Sequence, residues 1–140
     1  MKFLFQAIEA RFNANPTLRL KGRKLQEGFE EARVNVTKPY TELNAELSER
    51  LDTFDTDIEQ WDLRFRYHAK DLKSTAADEW VDAMTETFKD ANIRSGHFVT
   101  CGCRMVSASV PKLADGLFDA TIRFEVTIQL TLKSPFVRSA

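Results

Sequence analysis

Proline and glycine are scarce in this 140-residue chain, with four and five respectively, so no stretch has the composition of a disordered tail or a flexible linker. Two cysteines are too few for a disulfide framework and are expected to stay thiols in the reducing cytoplasm of the cell that makes the protein. Charge of one sign is missing as well. Twenty basic residues offset twenty-one acidic ones, and the formal net charge of -1 leaves no long-range basic field for a phosphate backbone. Sequence-specific nucleic-acid binding is therefore not expected. Long apolar runs are also lacking. The opening MKFLF gives way to Gln6, Glu9 and Arg11, too soon for an export signal, and nothing approaches the ~20 apolar residues that span a bilayer, so no membrane partner is expected.

What remains is a chain with 43% hydrophobic and 29% charged residues, sized for one domain over 1–140 with one real core. Its clearest element is Leu117 to Leu132. Phe118, Ala120, Ile122, Phe124, Val126, Ile128, Leu130 and Leu132 share one parity, while Asp119, Thr121, Arg123, Glu125, Thr127, Gln129 and Thr131 share the other. A period of two places these sets on opposite faces of a strand, one greasy and one wet. Ile58 to Ala69 repeats the pattern, with Trp61, Leu63, Phe65 and Tyr67 against Asp62, Arg64, Arg66 and His68. Thr41 to Ser48 alternates too and reads as a strand, although ELNAELSERL also suits a helix by propensity. Asp52 to Asp57 reads as the hairpin loop between these two, and Phe98 to Val110 as a further strand joined to the last by a turn at Pro111 to Gly116.

Two segments carry helical spacing instead. Leu4, Phe5, Ile8 and Phe12 mark one face of a helix from Phe3 to about Asn13, ended by Asn15-Pro16. Ala77, Trp80, Val81, Met84, Phe88 and Ala91 mark another over Thr75 to Ala91, with Ser74-Thr75 as the expected hydroxyl cap and Asp78 and Glu79 favouring the positive end of its dipole. Thr17 to Lys38 shows no clear period and reads as a charged connection with a short strand at Val34 to Thr37. The order is thus αββαββ. It predicts an α+β fold, a mostly antiparallel four-stranded sheet with two helices packed on one face and a polar face opposite.

No constellation commands a reaction. His97, Cys101 and Cys103, with His68, are the ligand types zinc prefers, yet both cysteines share parity with Val99 and Met105 and are expected to pack as small buried hydrophobes. The carboxylates at Asp52, Asp55, Asp57, Asp78, Glu79, Asp82 and Glu86 fall in loops and on a helix surface, where no apolar run raises their pKa. Ser107 and Ser109 lack a nucleophile elbow, and no phosphate-cradling glycine motif occurs. Neither an enzyme nor a cofactor is expected. The row of Arg64, Arg66, Arg123 and Glu125 has two readings, a wet face or a surface that meets another subunit, where charge sets orientation more than affinity.

The sequence as a whole resembles the tail-terminator, or tail-completion, proteins of long-tailed bacteriophages. The resemblance runs through LFQAIEARFNA, KPYTELNAEL, WDLRFRYHAKDLKSTAADEWVDAM, HFVTCGCRMVSASV and GLFDATIRFEVTIQL, nearly the full length. It implies a non-enzymatic virion component, a homo-oligomeric ring, typically a hexamer, at the head-proximal end of the tail tube. Its partners would be further copies of itself, the tail tube protein and a neck or head-completion protein. A neck adaptor or minor tail protein is the related alternative. A small ligand-binding or enzymatic α+β domain is the distant one, and it would need a cavity with convergent polar groups. For a ring, the expected subunit contacts are Arg19, Lys21, Arg23, Glu27 and Glu30 in the charged connection and Arg64, Arg66, Arg123 and Glu125 on the sheet, with Pro135 to Ala140 as a docking tail.

Overall fold

The computed structural model describes residues 2–19, 25–27, 40–52, 56–69, 73–96, 98, 100–111 and 119–132. Helix α1 spans Lys2–Ala14 and helix α2 Ser74–Phe88. The strands are β1 (Leu25–Glu27), β2 (Tyr40–Asp52), β3 (Thr56–His68), β4 (Thr100–Ser109) and β5 (Ala120–Leu132). The αββαββ order of the long elements is the expected one, and β2 to β5 form the expected antiparallel sheet. Their spatial order is β2-β3-β5-β4, with β1 added in parallel along the outer edge of β2. The expected strand at Val34 to Thr37 and the turn at Pro111 to Gly116 lie outside the described residues, apart from Pro111, and so do residues 53–55 of the expected loop, whose ends differ from expectation because Asp52 belongs to β2 and Thr56 and Asp57 to β3.

The long apolar row of β5 determines where everything else sits. Ile122, Phe124, Val126 and Ile128 are almost wholly buried, beside Leu63 and Phe65 of β3 and Cys101 and Cys103 of β4. Leu4, Ile8 and Phe12 of α1 and Ala77, Trp80, Met84 and Phe88 of α2 close over them. Three rings lock the layers together: Phe65 lies 5.3 Å from Phe88 and 5.9 Å from Phe124, and Phe88 lies 5.7 Å from Phe124. Tyr67 stacks on Trp80 at 5.4 Å, and the Trp80 indole N–H donates to the Thr41 hydroxyl at 3.0 Å, so α2 is also fixed to β2. A buried indole needs such an acceptor. Trp61 shares this parity but stands at the margin, only half-buried.

Helix α2 begins and ends differently from expectation. Lys73 is the cap residue and makes no side-chain cap bond, because Ser74 already has helical backbone and its hydroxyl is no longer placed to reach the free N–H groups. The helix stops at Phe88, three residues before Ala91, and Asp90 takes a left-handed φ of 56°. The released segment is used at once. Ile93 N–H donates to the Cys101 carbonyl and Cys103 N–H to the Ala91 carbonyl, both at 2.8 Å, so residues 91–93 extend the sheet along β4. The last helical turn is tied to α1 as well: Arg11 Nε donates to the Thr87 carbonyl at 2.6 Å and Asn15 Nδ2 to the Thr87 hydroxyl at 2.7 Å.

A candidate interaction surface on the sheet

Opposite the helices, the odd-even rule puts the polar residues of four strands on one face, and the register sorts them into rows. Glu42 pairs with Arg66 and Arg66 with Thr121. Asn44 pairs with Arg64, Arg64 with Arg123 and Arg123 with Ser107. Glu46 pairs with Asp62, Asp62 with Glu125 and Glu125 with Arg104. A basic row thus lies beside an acidic one. A shallow depression of about 320 Å³ opens where they meet, lined by Asn44, Glu46, Asp62, Arg64 and Arg123 with Ala45 and Leu63.

Most charges on this face are matched. Arg66 meets Asp119 through both oxygens, at 3.1 and 3.2 Å. Arg104 reaches Glu125 at 3.0 Å, and that hydrogen bond holds the Glu125 carboxyl below the usual carboxylate range. At the far end Glu42 is buried. Its carboxylate accepts hydrogen bonds from His68 Nε2 at 2.7 Å and from Asn44 Nδ2 at 2.5 Å, while Tyr40 stacks on the His68 ring at 4.6 Å. Arg64 and Arg123 in one row and Glu46 and Asp62 in the next have no ion pair or side-chain hydrogen bond among the described residues. Like charges directly opposite on neighbouring strands repel.

The expected contact residues therefore divide. Arg64, Arg66, Arg123 and Glu125 come together on the sheet face. Arg19 is exposed on the helical turn that follows α1, off that face, and Glu27 lies in β1 with its backbone opposite Leu43. Lys21, Arg23, Glu30 and Pro135 to Ala140 lie outside the described residues, and so does His97. Arg104 and Asp119 complete the ion pairs and were not singled out by sequence. Their signal was correct parity alone, and only the register supplies the partner.

The thiols sit elsewhere, in the core. Cys101 and Cys103 are buried and unpaired, and burial pushes both up to about 12. No group of three or more His, Cys, Asp or Glu among the described residues is arranged to hold a metal ion. A second depression, about 420 Å³, lies between the end of α1 and α2, where Arg11 Nε donates to the Thr87 carbonyl and Asn15 Nδ2 to the Thr87 hydroxyl, and Glu86 lies on its rim. Ser107 and Ser109 are exposed on β4.

No family model and no curated protein matches this sequence. Among solved structures, a chain from the virion of a native gene transfer agent particle aligns over 91% of this chain and 96% of its own, with 10% identity and a TM-score of 0.66. A second solved chain aligns over 93% and 97% at 12% identity with a TM-score of 0.46, too loose a likeness to argue from. At such identities the first likeness establishes the fold.

Proposed function

We propose that this chain is a structural protein of a phage-like virion that forms a ring, hexameric in the simplest form, on the head-proximal end of a tail tube, ending tube growth and joining tail to head. The observation that carries the reading is the fold: nearly all of this chain superposes on nearly all of a chain from a gene transfer agent virion. The sheet face supports it, since charge laid out in rows on an open surface suits protein contact better than catalysis. Identical subunits joined head to tail either close or grow without limit, and a part that terminates a tube has to close. Its partners in this reading are its own copies, the tube protein and a neck protein. A neck adaptor or minor tail protein is the second reading, favoured by the same likeness. The experiment is a particle lacking this chain: the terminator reading expects tails of uncontrolled length separate from filled heads, whereas tails of normal length without heads would favour the adaptor, and intact particles would reject both.

A further inference from the structure

The ring reading leaves open which surfaces meet, and this inference rests on that reading for ring closure only. Arg64 and Arg123 occupy directly opposed positions on β3 and β5, so their side chains leave the sheet about 5 Å apart. They line one side of an open depression and are within ion-pair distance of no carboxylate among the described residues, although Glu46 and Asp62 line its other side, likewise unpaired; the neighbouring Arg66 and Arg104 each have a carboxylate partner. Two adjacent guanidiniums without a carboxylate in reach favour an anionic partner, and a pair of carboxylates at similar spacing would satisfy both. On the opposite layer of the molecule, Asp78, Asp82 and Glu86 are exposed along α2, each one helical turn from the next, about 6 Å apart. None of the three has an ion pair or side-chain hydrogen bond among the described residues. Glu46 and Asp62 border the same depression and repel a broad acidic surface, so it accepts a narrow acidic line such as one helix stripe.

We infer that the sheet face of one copy receives the acidic stripe of α2 from a second copy, with Arg64 and Arg123 against Asp78, Asp82 and Glu86. The two surfaces belong to opposite layers, so the contact is head to tail, and each copy keeps one free surface of each kind until the assembly closes. Arginine suits the role because its planar fork can take a carboxylate through two N–H groups.

Charge exchange tests this without knowledge of any other partner. Full-length wild type, R64E/R123E and D78K/D82K are each studied by sedimentation over a wide concentration range at low ionic strength, and then the two variants are mixed. All the exchanged residues are exposed or half-buried, and thermal melting confirms that each variant is folded. Wild type should self-associate, less so as salt is added. Each variant alone should remain monomeric, and the equimolar mixture should regain the wild-type mass, because every interface then pairs opposite charges again. A wild type that stays monomeric throughout, a variant that assembles alone, or a mixture of folded variants that fails to assemble would overturn the contact. Recovery on mixing would stand even if the chain were absent from particles. Failure with the chain present in particles would reject this contact and leave the virion role in place.

Discussion

Phe124 carries more of the fold than any charged residue on the other side of its strand. It touches Phe65 edge-on and Phe88 at a tilt, so its removal opens a hole shared by β5, β3 and α2. Truncating such a ring costs about 3–5 kcal/mol, a large part of the ~5–15 kcal/mol that holds a domain folded. Phe124→Ala should lower the urea midpoint steeply or leave the protein insoluble, whereas Arg64→Ala, on an exposed site, should stay within about 0.5 kcal/mol of wild type. The opposite order would invert the assignment of faces. The cysteines make a second prediction at this scale. Their folded pKa lies above the unfolded one, so their contribution is complete below about 9 and is lost as pH rises toward about 12. Cys101→Ala and Cys103→Ala should each lower stability at neutral pH through a small cavity but flatten its alkaline decline. Urea titrations at increasing pH measure this, and an unchanged slope would contradict it.

At the scale of elements, a bulge in β2 changes which side chains face where. Leu47 still pairs with Trp61, but Glu49 pairs with Gln60 and Arg50 with Glu59, and the Ser48 hydroxyl donates to the Gln60 carbonyl at 2.9 Å. Past the bulge the parity of β2 is reversed. Leu51 and Ile58 share the polar face, while Arg50 and Glu59 face the helix side, where Glu59 is 8% exposed. Glu59 is held there by Arg50 Nη2 at 2.6 Å and the Trp61 indole N–H at 3.1 Å. Arg50→Ala therefore leaves a buried carboxylate short of its cation and should cost about 1–3 kcal/mol by urea unfolding. Adding Glu59→Gln should recover part of the loss, and a neutral Arg50→Ala would contradict this account. The alternation of β3 and β5 was legible because each keeps one parity across the core. The bulge was not, since nothing in ELSERLD marks an extra residue, and pairing is a property of two strands together. Nor was β1, whose three residues are too few to show a period. The cap of α2 was misread because Ser74 has the right chemistry one position too late. The sheet face was legible as a set of residues, but its division into matched and unmatched charges required the register.

For the whole molecule, the two layers differ in what they present: a helix layer with an acidic line, and a sheet layer with a row holding Arg64 and Arg123 beside a row holding Glu46 and Asp62. That asymmetry is compatible with head-to-tail contacts, and a ring follows if the angle between copies closes. Composition set limits on this but did not reach it, since near-neutral charge and the lack of a catalytic motif suit many small proteins. The measurement that tests the central claim most directly is the position of this chain in purified particles, by reconstruction of the head-tail junction. The account predicts a closed ring of identical copies at the head-proximal end of the tail tube, with α2 of each copy against the sheet face of the next. Copies spread along the tube, a location at its far end, or particles that lack the chain would contradict it.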